Sequence, residues 1–237
     1  MTAVRALVAS VALADLFDGL PRRFQVAHRG RTDWPLADHA GRITCCLMFP
    51  GSVRFPHGLA LPEPPPTEIA AVRLGAGRFT YDDTAVPVTR WFRPAAPHHP
   101  ALSARVRPGA VDRFFADWRK RLGRGDGLTP YDDDVLVGAL VALHAAGSPA
   151  AAGWSAEIAS SRLEDATTAT SAGLLRAATE GRCLDEVAAV LAAYDDRPGQ
   201  VDAAEQRLLG LGHSSGHGLL EGICLTLGRP GSRRAVA

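Results

Sequence analysis

Residues able to do chemistry gather in three short stretches of this chain. The first is Gly123-Arg124-Gly125-Asp126-Gly127-Leu128-Thr129-Pro130-Tyr131-Asp132-Asp133-Asp134. Its alternating glycines allow backbone conformations closed to other residues, and Pro130 sets a turn. Val135, Leu136, Ala139, Leu140 and Leu143 then recur at helical spacing. The stretch reads as a glycine loop entering the N-terminus of a buried helix, with Asp132 to Asp134 around its first turn. Such N-termini attract anions through free N–H groups and the macrodipole. The carboxylates could instead hold a divalent metal, take a proton or cap the helix. One Asp suffices as a cap, and three in a row exceed that need because like charges repel. The loop is neither a Walker A motif, since no Gly-Lys-Ser/Thr follows, nor a G-x-G-x-x-G dinucleotide fingerprint.

The second stretch is Thr167-Thr168-Ala169-Thr170-Ser171, preceded by Ser160-Ser161-Arg162 and followed by a helix, Ala172 to Glu180, that stops at Gly181. One hydroxyl would cap that helix. Several, with an arginine upstream, could line a pocket for a small oxyanion or amide. The third stretch is Gly210-Leu211-Gly212-His213-Ser214-Ser215-Gly216-His217-Gly218, followed by an apolar run to Leu227. His213 and His217 have the spacing at which a helix presents two zinc ligands. Ser-Ser-Gly between them is a poor helix interior and not the H-E-x-x-H motif. His213 alone is the better candidate, as a proton-transfer group near neutral pH. In all three places a Gly/Ser/Thr-rich loop precedes the N-terminus of an apolar helix. If the three corners face one cavity, they build a pocket rich in N–H and O–H donors, suited to a phosphate, carboxylate or carbamoyl group.

The elements that must position these corners differ along the chain. Residues 2 to 18 read as an amphipathic helix, and Val4 and Arg5 in it mimic a signal peptide only weakly, because Asp15 and Asp18 break the apolar run. Up to residue 95, short runs alternate apolar and polar residues as strands do: Phe24 to His28, Ile43 to Phe49, Ile69 to Leu74, Arg78 to Tyr81 and Val86 to Phe92. Pro50-Gly51, Pro56 and Pro62 to Pro66 supply turns. Residues 94 to 108, with His98-His99, read as a linker, the histidines solvated for want of a third ligand nearby. From residue 109 the pattern is helical: Val111 to Leu122 ending at Gly123, 135 to 146, a small-residue break at 147 to 153, Ala172 to Glu180, and Cys183 to Tyr194 ended by Pro198-Gly199. The tail after Arg229 is basic and expected to fray. The fold class expected is α+β. A β-rich lobe with a leading helix over residues 1–95, a curled sheet or partial barrel, precedes an α-helical lobe over 109–230 that carries the three loops.

Bulk composition narrows the function. The 237 residues carry a formal net charge of +1, without the basic footprint of a nucleic-acid binder. No stretch approaches the roughly 20 apolar residues of a membrane span. Cys45, Cys46, Cys183 and Cys224 show no C-x-x-C pair and no zinc spacing, and Cys45 and Cys46 point to opposite faces of a strand. A reduced, cytoplasmic protein is expected.

The three stretches resemble the signature blocks of one family, that of the H subunit of the oxamate carbamoyltransferase of anaerobic allantoin breakdown. A signature close to G-L-T-P-x-G-D-D-x-L-x-G stands here as Gly127 to Gly138. A block like T-T-x-x-S-A-x-L-L-x-x-A-x-x-G stands as Thr167 to Gly181, and one like G-H-x-S-G as Gly212 to Gly216. They come in the family's order and span most of residues 120 to 225. Asp132 replaces the signature glycine, and His217 is not a family feature.

The resemblance implies carbamoyl chemistry of the type oxalurate plus phosphate giving oxamate plus carbamoyl phosphate, in a complex with partner subunits. On that reading Asp133, Asp134 and His213 are the catalytic candidates. Gly125, Gly127, Thr129, Thr167, Thr168, Ser171, Ser214, Ser215 and Gly216 are the substrate-binding candidates. No resident cofactor is expected, unless Asp133 and Asp134 hold a divalent metal. The expected partners are a small-molecule substrate and other subunits of a transferase, with self-association open and neither nucleic acid nor membrane. Two rivals stay open: a stand-alone lyase or cyclase on a related substrate, and a non-catalytic subunit that binds a ligand or scaffolds a transferase.

Overall fold

The computed structural model describes residues 7–196 and 198–229. Val4, Arg5 and the tail after Arg229 lie outside the described residues. The chain divides into two compact units, Met1–Pro94 and Ala95–Ala237.

The first unit is a closed barrel of eight strands: β1 Leu7–Ser10, β2 Arg22–Val26, β3 Asp33–Ala37, β4 Ile43–Met48, β5 Gly58–Ala60, β6 Ala71–Gly75, β7 Arg78–Tyr81 and β8 Thr84–Phe92. Their order around the barrel is β1-β5-β4-β3-β2-β6-β7-β8. Parallel pairing of β1 with β8, Leu7 opposite Val88 and Ser10 opposite Phe92, closes the ring. Closure removes the exposed edges an open sheet would leave. Leu7, Leu36, Leu47, Leu59, Leu74 and Phe79 are fully buried in its core.

The sheet is therefore complete where only a curled or partial barrel was expected. The leading helix expected over residues 2–18 is, among its described residues, a strand, a 3₁₀ turn and a short helix: Leu7–Ser10 is β1, with Leu7, Ala9 and Ser10 fully buried, Val11–Leu13 is 3₁₀, and Ala14–Asp18 (α1) is α-helical. Two further strands escape the sequence pattern. β3 carries Pro35, which argues against a paired strand, yet it pairs on both sides, with β2 and β4. β5 has only three residues. All four cysteines are free thiols, and burial pushes that of Cys45 up to about 12.

The second unit is helical: α2 Pro108–Phe115, α3 Trp118–Arg121, α4 Tyr131–Ala145, α5 Ala150–Ala159, α6 Ala169–Thr179, α7 Asp185–Asp196, α8 Pro198–Leu209 and α9 Ser215–Leu227. Residues 95–107 belong to it and do not form a free linker. Pro100–Arg105 is a 3₁₀ turn with Leu102 fully buried, and the His99 imidazole lies 3.2 Å from Asp195. The helix expected from Val111 to Leu122 breaks between α2 and α3. α5 and α8 fall where a break and a stop were read; Ile158 in α5 and Val201, Ala204 and Leu208 in α8 are buried.

α4 organises this unit. From Asp133 to Leu143 every residue of it is buried, and a helix apolar nearly all round belongs in an interior. α5, α6 and α9 all pack on it, α9 most extensively. Glycine sets how close α9 comes. A Cβ at Gly138 would collide with the Leu219 carbonyl, and one at Gly222 with the Val135 carbonyl. The two backbones therefore touch, and the first turn of α4 lies against the first turn of α9.

Candidate functional site

Asp133 and Asp134 are each only 1 % exposed. Asp133 is surrounded by donors. Its Oδ1 accepts the Gly123 N–H at 2.9 Å and its Oδ2 accepts the Thr167 hydroxyl. Burial pushes its carboxyl up, opposed by hydrogen bonds from Thr167, Gly123 and Ser171. Gly123 can serve as donor because it is a glycine: its φ is +73°, and a Cβ would strike the Ala166 carbonyl.

Asp134 lacks comparable support. Its Oδ2 is buried without a hydrogen-bond partner. Burial pushes it up to about 8, against the pull of the Ser215 and Thr129 hydroxyls, and the neighbouring Asp133 charge pushes the same way as burial. Burial pushes both adjacent carboxyls up, Asp133 being the one with donors in good geometry and Asp134 the one short of them. Gly218 lets α9 approach here, since a Cβ would stand 2.8 Å from Asp134 Cβ and 2.9 Å from the Tyr131 carbonyl.

The hydroxyl corners meet the carboxyls. Thr129 and Ser215 bond to each other at 2.6 Å. Thr168 accepts the Ser171 N–H at 3.2 Å as cap of α6 and donates its hydroxyl to the Leu128 carbonyl. Ser171, 1 % exposed, has a hydroxyl with no partner in hydrogen-bond geometry, although it is near enough to act on Asp133. Asp133, Asp134, Thr129, Thr167, Thr168, Ser171 and Ser215 therefore form one cluster drawn from all three corners.

Other candidates fall outside it. Gly125 and Gly127 sit in the exposed loop at φ +110° and +101°, and a Cβ on Gly125 would stand 2.6 Å from the Tyr131 nitrogen. They shape the loop. Gly216 is a packing residue, pressed against the Leu208 carbonyl with its N–H given to Leu211 at 3.1 Å. Ser214 makes no side-chain cap; its carbonyl accepts the N–H groups of His217 and Gly218. His213 is exposed in the turn before α9, and its side chain makes no hydrogen bond among the described residues. Arg162 turns to Asp165 at 2.9 Å, and Ser160 and Ser161 bond their own backbone.

Most of the free N–H groups expected at the start of α4 are already spent. Asp132 N–H bonds the Arg124 carbonyl at 3.1 Å, and those of Asp133 and Asp134 bond the Pro130 carbonyl. The donors left at this corner include hydroxyls, the Asp134 acid and the buried Nε of Arg121. Asp132, in place of the signature glycine, is helical and lies 3.8 Å from Arg121 at the rim. Among the described residues no group of three His, Cys, Asp or Glu side chains could hold a metal ion. None of their helices is long and apolar enough to cross a membrane.

The sequence reading overlooked Gly123 as a donor, Gly218 as a spacer, and the pair Tyr131 and Glu221, whose side chains bond at 2.6 Å across α4 and α9. Gly123 and Gly218 stand inside the motif stretches and were the available signal. Glu221 had none.

A family model described as oxamate carbamoyltransferase subunit AllH matches residues 121–227. The match begins at the last residue of α3 and ends at the last residue of α9, so it contains every member of the cluster. It bears out the resemblance carried by the three motifs. No solved structure matches the chain.

Proposed function

From residues 121–227 being those of an AllH-type domain, we propose that this chain is a subunit of a carbamoyltransferase-type enzyme. It binds a small ureido or carboxamide substrate at the cluster around Asp134. The observation that carries the proposal is the meeting of three distant hydroxyl-bearing corners on two buried carboxyls, one of them short of partners.

Carbamoyl transfer passes through a tetrahedral oxyanion, which needs hydrogen-bond donors aimed at the developing charge. Here those donors are the hydroxyls of Thr129, Ser171 and Ser215 and the acid proton of Asp134. Asp133, held by Gly123 and Thr167, keeps the carboxylate that fixes the loop against α6. Asp134 is the group that exchanges a proton with the substrate nitrogen or oxygen. His213 is close in sequence to Ser215 and serves only if the turn before α9 brings it inward.

The test is turnover of oxamate with carbamoyl phosphate by the purified chain, alone and with co-purified partner subunits. Activity that falls strongly in Asp134→Asn supports the proposal. Binding without turnover by the chain alone assigns it the ligand-binding part of a larger site. Neither binding nor turnover in either preparation overturns the proposal. His213→Ala with full activity removes that residue from it.

A further inference from the structure

We propose that Asp134 Oδ2 and Ser171 Oγ together seat the neutral carboxamide or ureido end of the substrate, with any carboxylate or phosphate of the same molecule directed away from them. This rests on the function proposed above and assigns the orientation of the ligand within that site.

Hydrogen-bond accounting isolates the pair. Gly123 and Thr167 donate to Asp133; Thr129 and Ser215 share one bond and turn their remaining hydroxyl proton toward Asp134; Thr168 holds the Leu128 carbonyl. The N–H groups of Asp132, Asp133 and Asp134 go to Arg124 and Pro130 carbonyls. Asp134 Oδ2 and Ser171 Oγ remain, both within residues 1 % exposed and neither with a partner in hydrogen-bond geometry, although Ser171 is near enough to act on Asp133; Arg121 Nε, beside Asp132, is the other buried polar atom left over at this corner. Buried polar atoms are seldom left so, and a ligand that supplies partners is one reason for the exception.

Charge selects the ligand. Among the described residues no Lys, Arg or His side chain pairs with Asp133 or Asp134; the nearest such pair is Arg121 with Asp132 at the rim. Arg124 stands in the exposed loop. An anionic group placed against Asp134 would sit beside the Asp133 charge in a poorly solvated place. A carboxamide avoids this. It offers an acceptor and donors in one plane, so it satisfies Asp134 as an acid through its C=O and as a carboxylate through its N–H. Ser171 meets whichever edge remains. A carboxylate ligand satisfies the acid alone.

Both oxygens are closed off from solvent, so a ligand reaches them only when a neighbouring segment moves aside.

Calorimetric titration of the full chain, alone and in whichever assembly shows turnover, with oxamate and with oxalate tests the orientation. The two probes differ by an NH₂ in place of an O⁻. Oxamate is expected to bind more tightly by at least about tenfold, the discrimination of a site built around a hydrogen-bonding group. Asp134→Ala and Ser171→Ala are each expected to narrow that ratio. Oxalate binding as tightly as oxamate overturns the inference, as does a ratio unchanged in Ser171→Ala, the milder variant should Asp134→Ala fail to fold. Turnover with an unchanged ratio sinks this inference alone. Absence of both binding and turnover sinks it together with the proposed function.

Discussion

The hydroxyl of Thr129 lies 2.6 Å from that of Ser215, 86 residues further along the chain. The bond ties the end of the glycine loop to the first residue of α9. Beside it stands Asp134, whose pKa both hydroxyls pull down. One hydrogen bond thus registers two of the three motif stretches against the least supported carboxyl of the cluster.

Removing either partner should cost stability of about 1 kcal/mol, the usual net worth of such a bond. Thr129→Val and Ser215→Ala break the same contact, so the double variant should lose clearly less than the sum of the singles. Urea unfolding of the four proteins measures this. Strict additivity would mean that the two hydroxyls do not meet in solution.

Stability should also depend on pH through Asp134. Burial holds its folded pKa up to about 8, whereas the unfolded chain ionises near the ordinary value of about 4. Between these the folded state keeps a proton that the unfolded state has lost. Its contribution is therefore full below about pH 4, declines as pH rises, and is gone above about 8. Asp133 is shifted in the same direction. Thermal melts across this window should show a falling melting temperature, roughly 2–4 °C for each kcal/mol lost. Asp134→Asn should flatten the slope and be the more stable protein at pH 9. An unchanged slope would show that Asp134 titrates as an ordinary carboxyl.

The cluster was largely legible in the sequence, because each corner announces itself locally. A glycine loop, a hydroxyl cap and a turn each precede an apolar run, and helix starts are set by neighbours in the chain. Which groups are spent was not legible. The bonds of Gly123 to Asp133 and of Asp132 to Arg124 depend on how the loop folds back, so α4 looked richer in free N–H groups than it is. The same limit hid the barrel's closure. β1 is four residues whose pairing with β5 and β8 comes from tertiary contact, and without partners Leu7 to Ser10 scans equally well as helix. β3 has a weak strand pattern for a related reason, since proline is disfavoured inside a sheet and β3 carries Pro35 in a position paired with Cys46.

Tyr131 and Glu221 offer a spectroscopic check on the contact between α4 and α9. The hydrogen bond to Glu221, then burial, then the charges of Glu221, Asp132 and Asp134 push the Tyr131 phenol up to about 12. Glu221→Gln removes the largest of these causes. Tyrosinate absorbance should then show one tyrosine ionising closer to the ordinary value of about 10. Tyr131→Phe should delete the same step. Identical titration curves for wild type and both variants would mean that the bond does not form.

The closeness of α4 and α9 makes the sharpest demand on side-chain size. At Gly138 and Gly222 an added methyl has only the facing helix backbone to enter, and backbone cannot rotate away as a side chain would. Gly138→Ala and Gly222→Ala should each destabilise by about 1–3 kcal/mol or more, the cost of overpacking a close-packed contact. They should also disturb ligand binding, because the first turns of the two helices would separate at Asp134 and Ser215. Gly153 is the control. It lies inside α5 with nothing near its missing Cβ, so Gly153→Ala should stabilise by roughly 0.5–1 kcal/mol through helix propensity alone. Chemical denaturation of the three variants separates the effects. If Gly138→Ala gained stability as Gly153→Ala does, α4 and α9 would have to be further apart than their glycines allow, and Asp134 would lose the neighbours that make it a site.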